Sequence, residues 1–200
     1  MWKNNHNNST IILASRSPRR VELLKQVGLD CEIYPADIDE SQLLNESPVQ
    51  YVTRLAAEKA AACTALLSAE YLDYPIVAAD TTVALSSLVL GKPLDDDDAR
   101  DMLSKLSGST HQVHTAVALN FNGEIEVLLS STNVEMMPLS AEQIEKYIAT
   151  GDHRDKAGSY GIQGLAGAWI KRIEGSYTGV MGLPIFETAA LLRKHRIITI

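Results

Sequence analysis

The first forty residues alternate between short apolar runs and polar segments with helix signals. Residues 10–14 (TIILA) form an apolar run bounded by polar residues, which predicts a buried strand. Ser17 as N-cap, Pro18 at the first helical position and Gly28 as terminator predict a helix, and Val21, Leu24 and Val27 fall on one face of it. A second strand fits residues 31–34. This order is typical of a β-α-β unit.

The same alternation continues along the chain. Ser47 and Gln50 form a capping box that opens a long helix continuing toward residue 72. The apolar stripe of this helix comprises Val52, Leu55, Ala56, Cys63, Leu66 and Leu67. Residues 75–84 (PIVAADTTVA) form another apolar strand, with Asp80 in its middle.

Further caps and turns divide the second half of the chain. Asn122-Gly123 is a strong hairpin signal between an alternating, half-buried strand at 111–121 and a returning strand at 125–134. The other predicted elements are a helix opened by Asp95 and stopped by Gly108, with Ala99, Met102, Leu103 and Leu106 inward, a helix from Ser140 to near Gly151, a strand at 168–173 and a last helix at 184–195. The fold class predicted is α/β with a mixed sheet.

Composition sets limits on the function. An apolar fraction of 46% in 200 residues provides a real core, so we predict one domain, residues 10–200, preceded by a polar extension, residues 1–9. The extension has no apolar segment typical of a signal peptide, and the apolar runs are far shorter than the roughly 20 residues that span a bilayer. Cys31 and Cys63 form no CxxC motif and are expected to be reduced thiols, consistent with a cytoplasmic protein. The net charge of −7 argues against binding a nucleic acid polymer, but not against a small anion held by local cations. Because the apolar runs are short, no membrane association is expected.

The first candidate site is Ser15-Arg16-Ser17-Pro18-Arg19-Arg20, between a strand and a helix. A helix N-terminus offers free N–H groups, and arginines match phosphate oxygens two at a time. Ser15 and Ser17 add hydroxyl donors. The segment lacks the glycine pattern of a Walker loop. An ordinary capped helix with solvated arginines is the alternative.

The second candidate is Asp80. A carboxylate in an apolar strand costs several kcal/mol unless it is paired with a cation, a metal or hydrogen-bond donors. A functional role and a purely structural pairing are both open interpretations of Asp80. Thr81 and Thr82 point to alternate faces, so only one of them can share the surroundings of Asp80.

The third candidate is the glycine-rich loop at residues 155–164 (DKAGSYGIQG). Gln163 carries the donor and acceptor needed to recognise a base edge, and Lys156 suits a phosphate or a carboxylate. A flexible connection is the alternative. Glu40, Lys59 and Lys92 are individually weaker candidates.

Two other polar clusters favour structural explanations. The four acids from Asp95 to Asp98 are explained more simply by capping and the helix dipole than by a metal. His111 and His114 point to opposite faces of a strand and make a poor metal pair.

Taken together, these pieces resemble the Maf family of nucleotide pyrophosphatases from Ile11 to about Leu192. The segments that carry the resemblance are SRSPRR at 15–20, Ala79-Asp80-Thr81, Lys92-Pro93 and DKAGSYGIQG at 155–164. The resemblance implies an elongated mixed β-sheet flanked by helices, with two lobes around a cleft, as in inosine-triphosphatase-like proteins. It also implies cleavage of a nucleoside triphosphate between the α and β phosphates, with a divalent cation, Mg²⁺ or Mn²⁺, and an assembly that is often a dimer.

The resemblance also implies roles for individual residues. Asp80 matches the proton acceptor, and Arg20, Thr81 and Gln163 match positions that govern substrate choice. The positions expected to line the phosphate and metal region are Ser15, Arg19, Glu40, Lys59, Lys92 and Lys156; Glu40 and Asp80 are the expected metal ligands. Tyr160-Gly161-Ile162-Gln163-Gly164 resembles the branch that acts on dTTP and UTP, with modified pyrimidine nucleotides as further expected substrates. A 7-methyl-GTP pyrophosphatase and a non-catalytic, nucleotide-binding regulator of cell division are the alternatives.

Overall fold

The computed structural model describes residues 11–71 and 73–199; the predicted polar extension at 1–9 lies outside this part. The chain opens with a β-α-β unit: β1 (Ile11–Leu13), α1 (Pro18–Gln26) and β2 (Cys31–Ile33). The two strands are parallel neighbours. Pro18 stands at the start of α1 and Gly28 adopts a left-handed conformation just beyond its end, which confirms the predicted boundaries.

Helix α2 (Pro48–Leu66) begins at the predicted capping box, where Ser47 and Gln50 bind each other's backbone N–H groups. Its buried face includes Val52, Leu55, Ala56 and Cys63. The predicted extension toward residue 72 is wrong, because the backbone at Leu67 is extended and Leu66 is 69% exposed. The apolar run is therefore longer than the face that the sheet covers.

The remaining strands complete a seven-stranded mixed sheet. They are β3 (Ile76–Leu85), β4 (Leu88–Leu90), β5 (Thr110–Phe121), β6 (Glu124–Met136) and β7 (Ile170–Glu174). The order is β2-β1-β3-β5-β6-β7, with β4 also paired to β3. Strands β1 and β3 are parallel, whereas β4, β5, β6 and β7 join in antiparallel fashion. The predicted hairpin at Asn122-Gly123 joins β5 to β6.

Four more helices of the described chain flank the sheet: α3 (Asp96–Leu106), α4 (Ala141–Thr150), α5 (Tyr177–Met181) and α6 (Ile185–Lys194). Asp95 caps α3 by accepting from the N–H of Asp98, and Ser140 and Gln143 form a capping box on α4. Both caps are as predicted, because they depend on residues only three apart in the chain.

The core is divided along the long strands. At one end, buried residues of β1, β3, β5, α1, α2 and α6 pack together on both faces of the sheet. At the other end, Val83 of β3 and Val113 of β5 pack with α3, α4 and Tyr160. The expected two lobes are thus present, and they share β3 and β5.

Several expectations are corrected by these contacts. Strand β5 is buried on both faces from Val113 to Asn120, not half-buried, because helices cover both sides of the sheet. Strand β7 begins at Ile170, and residues 165–169 form a 3-10 turn before it. Strand β4 and helix α5, which are three and five residues long, have no counterpart among the predicted elements. Among the described residues no helix combines the length and the apolar character needed to cross a membrane.

Candidate active site

A gap along one edge of β3 positions the site. Strand β1 pairs with β3 only as far as Val77, and β4 pairs on the same edge only from Val83 onward. Within the described chain, no strand pairs with the edge between them, where Asp80 lies. Ligands of open α/β sheets bind beyond the carboxyl ends of parallel strands, and the chain leaves β1 for α1 at this place.

Arg20 is fixed at the mouth of this gap by three oxygen atoms. Its Nε donates to the carbonyl of Gly182 at 2.7 Å, and one terminal nitrogen donates to Ser15 Oγ at 3.0 Å. The other terminal nitrogen makes a longer contact, 3.4 Å, with Thr81 Oγ1. A guanidinium has five N–H groups, so this arrangement orients the fork and leaves donors for a ligand.

The start of α1 provides further anion-binding groups. Ser17 is the N-cap, but its side chain accepts no capping bond; instead its N–H donates to Ser15 Oγ at 3.1 Å. The expectation of a side-chain cap is wrong here, because Ser15 holds the turn. Arg16 forms an exposed ion pair with Asp37 at 2.6 Å, whereas Arg19 lines the cleft.

Lys59 of α2 lies between two carboxylates. Its Nζ is 2.6 Å from Asp80 Oδ1 and 2.7 Å from Glu40 Oε1. Lys92 approaches the other oxygen of Glu40 at 3.8 Å. The fold therefore brings the predicted acids and lysines together in one ionic cluster at the floor of the gap.

The electrostatics of this cluster differ between its two acids. Burial raises the pKa of Asp80, and Lys59 and Arg20 oppose that shift. Burial also acts to raise the pKa of Glu40, but the hydrogen bond and charge of Lys59 outweigh it, so the pKa of Glu40 is lowered. Burial therefore prevails at Asp80, whereas the neighbouring cations prevail at Glu40.

The glycine-rich loop forms the opposite wall of the cleft. Its backbone is left-handed at Asp155, Gly158 and Ser159. At Gly158 a Cβ would lie 2.9 Å from Val83 Cβ, so only glycine fits against β3. The Gly158 N–H donates to the carbonyl of Gly91, which ties this loop to the segment carrying Lys92.

Polar contacts hold the middle and the start of this loop. Tyr160 Oη lies 2.7 Å from His111 Nε2 in the interior, and burial lowers the pKa of His111 to about 4. Lys156 donates to the carboxylate of Asp152 at 3.0 Å and to its backbone carbonyl. The charge of Lys156 is therefore partly compensated by Asp152, whereas Gln163 is exposed at the cleft.

All the site residues predicted from the sequence line a single cleft of about 790 Å³. They are Ser15, Ser17, Arg19, Arg20, Glu40, Lys59, Asp80, Thr81, Lys92, Lys156 and Gln163. The cation-rich helix start, the buried acid and the glycine-rich loop thus meet at one place. Three groups are not foreseen from the sequence: Asp152, the Gly182 carbonyl and Thr115, a polar residue within the apolar run of β5. Thr115 gives no signal comparable to that of Asp80, because a neutral, β-branched threonine is common in strands whereas a carboxylate there is costly.

The charge of the cleft contrasts with that of the chain. Among the described residues, six basic side chains line it against five acidic ones, in a protein of net charge −7. The excess of basic over acidic side chains is small, so the cleft would neutralise an anion of several charges only in part. Such a ligand needs additional positive charge.

The other polar clusters have structural partners. Asp95 and Asp98 bind backbone N–H groups at the start of α3. His111 contacts Tyr160, whereas His114 lies 2.8 Å from Ser131 Oγ on the other face of β5. Over residues 11–71 and 73–199, no group of three or more His, Cys, Asp or Glu side chains is arranged to hold a metal ion. Within that part of the chain, Glu40 and Asp80 are thus a pair of carboxylates without a third.

These features define a class: an α/β protein whose open sheet presents fixed arginine, lysine and carboxylate groups to a small anionic ligand. Sequence comparison identifies the family within that class. The family model described as "Maf-like protein" matches residues 10–195, and the chain belongs to this family.

Individual relatives match along nearly the whole chain. A protein of Methylobacillus flagellatus named dTTP/UTP pyrophosphatase is 56% identical over 187 residues, which cover 94% of this chain and 93% of the relative. Proteins with the same name from Chromobacterium violaceum and Nitrosomonas europaea are 52% and 48% identical; the matches cover 93% and 92% of this chain, and 94% and 93% of the relatives. The solved structure of the Staphylococcus aureus Ham1 protein aligns with a TM-score of 0.45 at 15% identity, covering 64% of this chain and 71% of that one.

Proposed function

We propose that this protein hydrolyses dTTP and UTP to the corresponding monophosphate and pyrophosphate. The observation that carries the proposal is the convergence of Arg20, Asp80 and Gln163 on one cleft large enough for a nucleotide. The relatives named dTTP/UTP pyrophosphatase, 48–56% identical over nearly the whole chain, support the choice of substrate. Modified uridine and thymidine triphosphates are further substrates under this proposal.

The phosphates are held by the cationic wall of the cleft. Arg19 and Arg20 at the start of α1 present N–H groups beside the hydroxyl groups of Ser15 and Ser17. Lys59, Lys92 and Lys156 supply positive charge across the cleft. These side chains neutralise the charge that builds up on the leaving pyrophosphate.

A divalent cation, Mg²⁺ or Mn²⁺, completes the charge balance. The chain's own groups fit such an ion, because Glu40 and Asp80 are two oxygen donors gathered around one ammonium nitrogen, at 2.7 and 2.6 Å. Mg²⁺ sites on phosphate substrates commonly use one or two carboxylates together with phosphate oxygens and water. When bound, the ion supplies positive charge to the phosphates and acidifies water. Glu40 and Asp80 are the side chains that would hold it.

Asp80 acts as the general base. Burial raises the pKa of this carboxylate above that of an exposed aspartate, which makes it a better proton acceptor, and the ammonium of Lys59 favours its ionised form. A water oxygen bonds to the α phosphorus while Asp80 takes the water proton. The bond between the α phosphorus and the bridging oxygen breaks, and pyrophosphate departs with the electron pair.

The base is selected between the glycine-rich loop and the Arg20–Thr81 pair, which line the same cleft. Gln163 is exposed there and offers both a donor and an acceptor to the edge of uracil or thymine. Arg20 and Thr81, joined to each other across the gap, are the other two residues assigned to substrate choice.

A panel of nucleoside triphosphates assayed with Mg²⁺ tests this function. The expected products from dTTP and UTP are monophosphate and pyrophosphate, at higher kcat/KM than from 7-methyl-GTP, GTP or CTP. Release of diphosphate and phosphate would contradict the assigned bond cleavage. Faster turnover of 7-methyl-GTP would assign the protein to that substrate, and binding without any turnover would favour the regulator of cell division.

The proposal extends to the setting of the enzyme. It acts on free nucleotides in the cytoplasm, and a homodimer is the expected assembly. Size-exclusion chromatography with light scattering measures the mass of the assembly directly, and a mass of one chain, 21.8 kDa, would contradict the dimer.

A further inference from the structure

A buried threonine lies directly beneath the cleft floor and has no role in the function proposed above. Thr115 of β5 is opposite Thr81 of β3 in the antiparallel register and is fully buried. Its Oγ1 lies 2.7 Å from the carbonyl oxygen of Gly179 in α5 and 3.0 Å from Thr81 Oγ1. Thr81 itself lines the cleft.

The chemistry of these groups fixes the direction of the hydrogen bonds. A hydroxyl carries one hydrogen, and a carbonyl oxygen can only accept. Thr115 therefore gives its hydrogen to Gly179, and the contact with Thr81 is made by the hydrogen of Thr81. The Thr81 oxygen in turn accepts from Arg20, whose guanidinium has no acceptor. The chain of bonds runs one way, from Arg20 through Thr81 and Thr115 to Gly179.

This direction determines what Thr81 can offer a ligand. Its hydrogen is committed beneath the floor, so it presents only lone pairs to the cleft. Uracil and thymine carry an N–H at ring nitrogen N3, whereas cytosine has an unprotonated acceptor there. An acceptor fixed in the site favours the first two bases and opposes the third.

We propose that Thr115 is a positioning residue that, by holding the Thr81 hydroxyl as an acceptor, selects uracil and thymine nucleotides over cytosine nucleotides. The inference rests on the proposed function and deepens it. Thr115 acts through Thr81 and touches no substrate itself.

Replacement of Thr115 by valine tests the proposal, because valine keeps the shape and removes the hydroxyl. Without its partner, the Thr81 hydroxyl can rotate and donate to cytosine. We expect the ratio of kcat/KM for UTP to that for CTP to fall about five- to tenfold, the usual value of one neutral hydrogen bond. The change should come mainly from KM, and the acid limb of the kcat profile should not move, because Asp80 points to the other face of β3.

Two variants serve as controls. Thr115→Ser keeps the hydroxyl and should keep the UTP-to-CTP ratio. Thr132→Val removes an equally buried hydroxyl, which accepts from the Ser176 N–H at 2.9 Å at the start of the same helix, α5, but has no link to Thr81. It should lower the melting temperature and leave the ratio unchanged.

A double-mutant cycle distinguishes an effect that passes through the hydrogen bond between Thr115 and Thr81 from a general disturbance of the fold. Thr81→Val removes the acceptor itself, so Thr81→Val combined with Thr115→Val should lower the ratio no further than Thr81→Val alone. Thr115→Ala gives the same comparison should the valine variant fail to fold. The inference is overturned by an unchanged ratio in Thr115→Val, by an equal fall in Thr132→Val, or by two independent effects in the cycle. A wild-type protein that releases no pyrophosphate from UTP contradicts the proposed function instead.

Discussion

Replacement of Lys59 by methionine removes the one cation that lies within hydrogen-bonding distance of both Glu40 and Asp80 in the described structure. The side chains of Lys59 and Asp80 are only 12% and 10% exposed, so little water can take the place of the ammonium. Methionine fills a similar volume without charge. The variant therefore leaves a buried carboxylate with its main partner lost.

The magnitude follows from this burial. Breaking a buried ion pair by removing one partner costs about 3–5 kcal/mol. Because the pair keeps a slight exposure, we take the lower end, about 3 kcal/mol, and the loss of the ammonium raises the pKa of Asp80 further. For a domain of this size the same energy lowers the melting temperature by roughly 6–12 °C.

The sign of the pH dependence is set by the direction of the shift. The pKa of Asp80 lies above its unfolded value already, so the native state binds its proton more tightly than the unfolded state does. Stability from this group therefore falls as the pH rises from the unfolded to the folded pKa. In Lys59→Met the folded-state pKa of Asp80 rises further, so the pH range over which stability is lost extends to higher pH. The loss of melting temperature is therefore greatest near pH 8 and becomes smaller in acid.

The measurements are melting curves from pH 4 to pH 8 and the pH profile of kcat for UTP. The acid limb of the profile should move to higher pH, because the pKa of Asp80 rises and the base must lose its proton before it can act. Lys92→Met is the control: Lys92 is largely exposed and 3.8 Å from Glu40, so its loss should change stability by no more than about 1 kcal/mol and leave the limb in place. An acid limb that stays fixed in Lys59→Met would remove Asp80 from the role of base.

Three further predictions concern the proposed reaction. Asp80→Asn should reduce kcat by about 10²-fold or more with UTP, as for loss of a general base; near-normal turnover excludes Asp80 from the mechanism. Gln163→Ala should flatten the ranking of dTTP, UTP and CTP while cleavage persists, and an unchanged ranking rejects its role in base selection. Removal of divalent cations with a chelator should abolish pyrophosphate release, with recovery on adding Mg²⁺ or Mn²⁺; full activity in chelator argues against the cation.

The local features of the fold are predictable because their causes are local. The capping boxes at Ser47 and Ser140, the proline start of α1 and the turn at Asn122-Gly123 each depend on residues within a few positions of one another. The same holds for Asp80, since a charge in an apolar strand is visible without any tertiary contact. The overlong prediction for α2 is wrong for a reason outside the local pattern: Leu66 is 69% exposed and the backbone becomes extended at Leu67, so the apolar run does not continue as a buried helix face.

For the candidate site, too, the residue types are predictable from the sequence, whereas the contacts between them are known only from the structure. Sequence pattern and family resemblance supply the types of residue, but the pairing of Lys59 with Asp80 joins residues 21 apart, and that of Arg20 with Gly182 joins residues 162 apart. Thr115 stands beside apolar residues of β5 and has no local signal of function. Its link to the site is visible only in the structure, where β5 places it opposite Thr81. The sequence predicts a phosphate or a carboxylate as the partner of Lys156, and the structure places the carboxylate of Asp152 at 3.0 Å from it.

By itself the sequence determined most of the elements, the family and the groups capable of phosphate chemistry, because backbone propensity, capping and residue chemistry act over a few residues. The tertiary structure alone decided that β1 and β4 leave a gap along β3, that Lys59 lies between two acids, and that the hydroxyl groups of Thr81 and Thr115 are 3.0 Å apart. These properties arise from strand register and burial. Both are set by packing between segments far apart in the chain, which a local pattern cannot encode.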